Sequence, residues 1–560
     1  MFKKAKIISL IATLLGSASG ETMPSRSICV NETWFLIEDD GAFVVKRWNE
    51  TGVPIPSRIF NPESGESFPV KRIETGCFMC TPLEKIEIPK RIETLRARSF
   101  YNCKFLEILL FEKGSQLRRI GSMALSGAAL KTIVIPKNVE ILGSSCFEGC
   151  ESLESINFEA NSRLVRIEKR AFANSSLERI AISRRVEILG EYSFGGCKSL
   201  ASVSFEKESQ LRHIEQTAFA NSSLVSIIIP LRVEILGGGC FGGCLSLERV
   251  TFEINSQLQH IGDCAFLGAR IKEIKIPRYV ASLGEGCFCE CHSLKRVIFM
   301  PNSLLKYIRV WAFCGGFLNK VKIPSCVETI DYGCFSGCRS LTKVLFEEQS
   351  RLKRIESNAF SGTSLRTITI PRSTEILGSR CFSDCQSLAK VSFEEQSLLQ
   401  RIESNAFSGT SLELVTISCC EGIITNGCFF LSFCDRPRFQ GSENSHLIEI
   451  VINGCLNRYN PSERISSEAI SYLQAIWPIA LERGNFLRVI IPKNVKILDE
   501  NCFREWHRLE SVAFESGSSL ERIERAALKE TSLESITIPE SVEILGESCF
   551  SRCTSLASAF

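Results

Sequence analysis

Histidine, tryptophan and methionine are scarce in this chain, five of each in 560 residues. Net charge is nearly absent as well, with 66 basic residues against 63 acidic ones for a balance of +3. So small a balance gives no global field to draw the chain onto nucleic acid or an anionic membrane, and any electrostatic preference must be local. Beyond the amino terminus no run reaches the ~18 uninterrupted apolar residues of a membrane-spanning helix. The histidines give catalysis no foothold: His213 and His260 share a repeat column that elsewhere holds Arg166, Arg354 and Arg401, while His292, His446 and His507 have no recurrent Ser, Cys or Asp partner. A protein without catalytic residues, metal or cofactor is expected.

What is present is self-similarity. Length and a 44% hydrophobic content would ordinarily suggest three or four globular domains, but from residue 70 two half-repeats alternate. One reads L-x-x-I-x-I-P-x-x-V/T-E-I-L-G-x-x-C-F-x-x-C-x-S, as from Leu365 to Ser387. The other reads L-x-x-V-x-F-E-x-x-S-x-L-x-R-I-E-x-x-A-F-x-x-T-S, as from Leu388 to Ser411. The leading residues, Leu318, Leu341, Leu365, Leu388 and Leu412 among them, step alternately by 23 and 24. This 47-residue double period resumes at Phe486, Leu509, Leu533 and Leu556. A period in the twenties opening with L-x-x-I-x-I is the leucine-rich-repeat pattern, and it predicts an α/β-type repeat solenoid of about twenty turns.

Stacking assigns each column its task. Strand alternation turns the fourth and sixth positions of L-x-x-I-x-I inward, and a second apolar pair, such as Val139 with Leu142 or Leu164 with Ile167, closes the far side. A phenylalanine column runs through Phe147, Phe172, Phe194, Phe288, Phe313, Phe335, Phe360 and Phe382, with Leu125 and Leu528 standing in. At roughly 1.5–3 kcal/mol for each buried ring, this spine is a main source of cohesion between turns. Gly143, Gly190, Gly237 and Gly378 end the V-E-I-L-G segment, where a turn of positive φ is expected to call for glycine. The run around Gly237 to Gly243 lacks a Walker lysine and is no phosphate loop. Seven residues before the spine, Lys306, Glu328, Lys353 and Glu375 alternate in sign, which predicts a ladder of exposed ion pairs worth under ~1 kcal/mol each.

Of the 27 cysteines, eighteen fall in two columns. One column precedes the spine residue, as at Cys146, Cys287, Cys334 and Cys381. The other follows it by three, as at Cys150, Cys291, Cys338 and Cys385, with Cys77, Cys80 and Cys103 at the near end. The alternate half-repeat fills these slots with Ala359, Ala406, Thr363 and Thr410, so small size is what they share. Like cysteines sit two turns apart, roughly 10 Å at ~5 Å per stacked strand, beyond the ~7 Å over which α-carbons can be bridged. Most are read as buried free thiols. The C-x₃-C spacing, with no histidines to complete a set, argues against zinc. Any disulfide would lie in the off-column group of Cys29, Cys264, Cys289, Cys314, Cys326, Cys419, Cys420, Cys434 and Cys455.

The sequence carried by Ile323, Pro324, Val327, Ile330, Cys334, Phe335 and Cys338 resembles the BspA-type leucine-rich repeat of bacterial and protozoan surface antigens, over about residues 70–560. The resemblance implies a curved solenoid on a secreted or surface protein concerned with adhesion to host cells, matrix proteins or other microbes, with no catalytic residues to carry over. The chain departs from the pattern in lacking a carboxy-terminal membrane segment. It also stops at Leu556 to Phe560 inside a strand without a cap, which reads as a truncated product.

Residues 1–20, with Lys3, Lys4 and Lys6 ahead of the apolar run Ile7 to Leu15 and then small residues to Gly20, read as a secretory signal peptide. Residues 21–69, with Trp34, Phe35, Leu36, Phe43, Val44, Val45 and Trp48, read as a cap over the first turn's edge. Repeats fill 70–417 and 486–560. Between them, 418–485 is a degenerate repeat or insert, with one strand pattern at Leu447, Ile450 and Ile452 and helical spacing from Ser462 to Arg483.

The third and fifth positions of L-x-x-I-x-I lie side by side on the exposed, concave sheet of such solenoids. Mid-chain they read Arg249, Lys275, Arg296, Lys320, Lys322, Lys343 and, two turns on, Lys390, with Glu273 as the one acid. Lys272 and Lys295 adjoin them, and Ile298 and Leu345 lie between. A cluster of cations on one face points to an anionic glycan or an acidic protein patch on a host or neighbouring cell. The leading expectation is a secreted or surface adhesin. An intracellular scaffold of the same fold is the second reading, favoured by the unpaired thiols and opposed by the signal peptide and the sequons at Asn31, Asn49, Asn174 and Asn221. An enzyme or a pattern-recognition receptor subunit is the third.

Overall fold

Each repeat folds into the same three parts, seen clearly in the turn that begins at Leu318. The strand Lys320–Ile323 turns Val321 and Ile323 into the core and leaves Lys320 and Lys322 outside. The Pro324 carbonyl then accepts the N–H of Val327 at 3.2 Å, which closes a turn. A second strand, Thr329–Ile330, pairs in parallel with Tyr307–Ile308 on one side and Arg354–Ile355 on the other. The third part is a run of turns carrying Cys334, Phe335 and Cys338 back to the next leucine.

The computed structural model describes residues 27–47 in part, 55–60, 65–394, most of 397–418, the strands at 423–424, 448–453 and 464–465, and most of 487–559. The chain divides into two compact units, Met1–Ile227 and Ile228–Phe560. Among the described residues there is no helix, which corrects the α/β-type expectation: the solenoid is built of strands and turns. The reason lies two residues before each spine position, where Ser145, Arg170, Tyr192, Cys264, Trp311, Asn358 and Arg380 all take positive φ of 54–58°. A left-handed residue there, and a second two residues after the spine as at Gly149, Asn174, Gly362 and Asp384, ends any α-helical run. The N–H groups that a helix would have used internally go alternately to the same turn and to the next. Ser336 and Cys338 donate to the Gly333 and Phe335 carbonyls, whereas Phe335 and Gly337 donate to Ala359 and Ser361 at 2.8 Å.

The phenylalanine spine is stacked and dry. In the second unit Phe335 lies 5.2 Å from Phe313 and 5.1 Å from Phe360, ring centroid to ring centroid, and all three are fully buried. In the first unit Phe147, Phe172 and Phe194 stack at 5.2 Å intervals.

Several letters of the repeat acquire a reason only here. The glutamate after V-x-F reaches back one turn: Glu347 and Glu394 accept the backbone N–H of Ser325 and Arg372 at 3.1 and 2.9 Å. The serine of S-x-L accepts an N–H two residues on, as Ser350 does from Leu352 at 3.3 Å. The glycine reading is corrected. Gly143, Gly190, Gly237 and Gly378 do not take positive φ. A Cβ on Gly378 would instead stand 2.6 Å from the Ser357 nitrogen, and one on Gly143 2.8 Å from the Gly121 carbonyl carbon. At these two glycines close approach of successive backbones leaves no room for a side chain, whereas Asp331 fills the same column one double period before Gly378. The ion-pair ladder is partial: in that column Lys496 pairs with Glu521 at 3.7 Å, whereas Lys306, Glu328, Lys353 and Glu375 form no salt bridge among the described residues and are held by backbone bonds of 2.7–2.9 Å.

At the amino-terminal end Ser27–Val30, Thr33–Glu38 and Gly41–Arg47 form antiparallel pairs, and Gly41–Arg47 adds in parallel to Ser67–Ile73. That last strand leads the ladder of short strands through Thr94–Leu95. In 418–485 the strand Ile448–Asn453 pairs in parallel with Leu414–Ser418 and Leu487–Ile491, so the ladder runs through the stretch where the period breaks. Arg464–Ile465, inside the segment of helical spacing, is a strand paired with Ile497–Leu498. The rest of that segment lies outside the described residues, as do residues 1–20, where a signal peptide is expected, the sequons at Asn31 and Asn49, and Cys419, Cys420, Cys428, Cys434, Cys455 and Cys502.

Candidate ligand-binding face

Alternation places every expected cation on the outside. Arg249, Lys275, Arg296, Lys320, Lys322, Lys343 and Lys390 are all exposed, because the residues between them fill the core. The strands Glu273–Ile276, Arg296–Phe299, Lys320–Ile323 and Lys343–Phe346 form one parallel sheet, which brings five of the seven together. Arg249 and Lys390 belong to strands of other sheets. Register sets the pattern: Glu273 lies opposite Arg296, Arg296 opposite Lys320, and Lys320 opposite Lys343. Lys275 and Lys322 lie opposite the half-buried Ile298 and Leu345.

Not all of this charge is free. Arg296 pairs with Glu273 at 3.2 Å and Lys322 with Glu347 at 3.2 Å, while neighbouring Lys272 pairs with Glu248 at 2.8 Å. Glu347 escaped the sequence reading because it belongs to another column and is brought alongside by the coil. Lys275, Lys320, Lys343 and Lys390 form no salt bridge among the described residues. With strands ~4.8 Å apart, Lys320 directly opposite Lys343 is a like-charge pair that costs about 0.2–1 kcal/mol.

The histidine column is confirmed as part of the coil: His213 and His260 open two-residue strands, as Arg166, Arg354 and Arg401 do. Among the described residues no group of three or more His, Cys, Asp or Glu could hold a metal, and no helix is long and apolar enough to cross a membrane.

Among the described residues the column cysteines are in no disulfide and mostly buried, and they do more than fill space. The thiol three residues after the spine donates to the spine carbonyl of the preceding turn: Cys291 to Phe266, Cys338 to Phe313 and Cys385 to Phe360, each at 3.1 Å. In the alternate half-repeat Thr363 donates to that same Phe360 carbonyl at 2.9 Å. Where the slot holds Cys or Thr it supplies a donor as well as small size, while Ala128, Ala269 and Gly316 fill it by size alone. Burial pushes Cys291 and Cys338 up to about 12 and Cys385 to about 11, and drives Cys146, Cys240, Cys287, Cys334 and Cys381 well above the ordinary thiol range. Thiolates are thus suppressed at neutral pH. Thiol counting on the denatured, unreduced chain should find the column cysteines free, and native alkylation should leave the buried ones unlabelled, Cys80 being exposed; finding them paired with one another would remove the donor account.

Parallel turns of this length stacked on a buried spine define a leucine-rich-repeat solenoid, a repeat-type binding protein. The family model of the BspA type leucine-rich repeat region matches in six copies, over residues 71–201, 118–248, 165–295, 212–342, 306–434 and 475–560, and the chain belongs to that family. Among proteins of solved structure it is similar to a leucine-rich repeat protein of Bacteroides ovatus, at 25% identity and a TM-score of 0.48 over 70% of this chain and 94% of that one. It is also similar to a leucine-rich cell surface protein of Faecalibacterium prausnitzii, at 20% identity and a TM-score of 0.33 over 67% and 96%. For the pneumococcal vaccine antigen PcpA the values are 17%, 0.34, 83% and 99%. No curated protein matches.

Proposed function

We propose that the chain is a non-enzymatic, secreted or cell-surface adhesin whose ligand seats on the strand face around Lys275, Arg296, Lys320, Lys322 and Lys343, with Arg249 and Lys390 flanking it. The observation that carries this reading is the in-register row Arg296, Lys320, Lys343, in which the last two face each other without a carboxylate between them. A row of cations at strand spacing costs the free protein energy that a ligand with regularly placed sulfates or carboxylates returns on binding. A sulfated glycan or an acidic protein patch on a host or neighbouring cell has that chemistry. Secretion is supported by the lysine-then-apolar pattern of residues 1–20, and by the exposure of Asn174 and Asn221 within their sequons. The free thiols favour an intracellular scaffold as the second reading. Cell fractionation with and without residues 1–20 separates the two.

Replacing Lys320, Lys322 and Lys343 together by Glu should weaken binding to a heparin-like glycan at least about tenfold and flatten its salt dependence, because six units of charge change on one face. Circular dichroism checks that the variant remains folded. Unchanged affinity and an unchanged salt slope would withdraw this face as the site.

A further inference from the structure

Three cysteines stand outside the columns on successive turns. Cys289 and Cys314 each immediately follow a spine residue, and Phe288 and Phe313 stack 5.4 Å apart with ring planes within 4°. The Glu290 N–H donates to the Cys314 carbonyl at 2.9 Å, which locks this register. Cys289 and Cys314 are therefore one turn step apart, inside the ~4.4–6.8 Å window that bridged α-carbons occupy. Like column cysteines are separated by two such steps. The Cys289 and Cys314 side chains stand close enough on successive turns to interact electrostatically. Both are only partly buried, unlike the column thiols beside them. Gly286 lies between Cys289 and Cys264: a Cβ there would stand 3.5 Å from the Cys289 Cβ and 3.6 Å from the Cys264 Sγ. Trp311 is turned the other way, over Gly333, where a Cβ would lie 2.5 Å from its ring.

We propose that Cys289 and Cys314 are a redox modification site, forming a reversible disulfide between successive turns by exchange with a low-molecular-weight disulfide such as oxidised glutathione. The asymmetry of the two thiols assigns the order of attack. Interaction with the Cys289 side chain lowers Cys314 to about 7, against the opposing effect of burial, while Cys289 is raised. The Cys314 thiolate attacks one sulfur of the small disulfide, making a mixed disulfide and releasing one small thiolate. Cys289 then gives its proton to solvent and attacks the Cys314 sulfur, forming the bond between turns and expelling the second small thiolate. Two cysteines lose two electrons, and one small disulfide becomes two thiols.

The test uses the full chain incubated with oxidised glutathione, acid-quenched, alkylated in denaturant and digested with trypsin. The expected product joins the peptide of residues 279–295 to that of residues 310–320, with fragmentation placing the bond at Cys289 and Cys314. It should vanish in Cys289→Ser and in Cys314→Ser, persist in Cys264→Ser, and be reversed by reduced glutathione. Serine suits the slot, because Ser336 and Ser361 occupy it one and two turns on. Cys314 left free or as a glutathione adduct in the folded chain would overturn the proposal, and so would a bond from either cysteine to Cys264.

Discussion

Gly378→Ala should destabilise its turns by about 3 kcal/mol or more, the upper end of what overpacking costs, because the obstacle is backbone and cannot rotate away. The added Cβ would meet the Ser357 nitrogen at 2.6 Å and the Glu356 carbonyl carbon at 2.7 Å. To relieve this the turns must part, which lengthens the 2.7 Å hydrogen bond from the Gly378 N–H to the Ile355 carbonyl. Gly315→Ala is the comparison: its φ is +67° and nothing lies within 4 Å of the new carbon, so only the left-handed backbone penalty of about 1–2 kcal/mol applies. Solenoid stability is a sum over neighbouring turns, so the defect should show as lost amide-exchange protection in the turns on either side of Gly378. Equal losses for the two alanine variants would refute the close-approach account.

Phe335→Ala should cost about 3–5 kcal/mol, the range for deleting a buried aromatic side chain. The ring is fully buried and stacked on both faces, with Phe313 at 5.2 Å and Phe360 at 5.1 Å, so the neighbours on a rigid coil cannot collapse into the gap. Urea titration followed by amide exchange measures the loss. Cys334 and Cys338 flank the vacated space, so their native alkylation should accelerate while both remain unpaired. A loss under about 1 kcal/mol would mean that the spine is not what holds the turns together.

Much of the candidate face was legible in advance because strand alternation has a period of two: once Val321 and Ile323 are core, Lys320 and Lys322 must be outside. What alternation leaves open is which cations have partners. Glu347 neutralises Lys322 while also accepting the Ser325 N–H, and its place beside Lys322 depends on the rise and register of the coil. The glycine slot shows the same limit. A glycine ending V-E-I-L-G looks like a turn residue along the chain, whereas the atoms that forbid a side chain at Gly378 belong to Glu356 and Ser357 in the turn before.

The sequence by itself determined the 23- and 24-residue turns, the buried phenylalanine column, the outward cations and the thiols too far apart to bridge within their columns. Each of these follows from periodicity, which repeats the same physical demand at every turn and so writes it into a column. Only the tertiary structure decided that the turns are strand and turn without helix among the described residues, that column cysteines donate to spine carbonyls, and that Cys289 and Cys314 lie side by side on adjacent turns. Those outcomes depend on contacts between residues more than twenty positions apart. Their distances are set by the rise and rotation of the coil, and no local pattern of residue types encodes them.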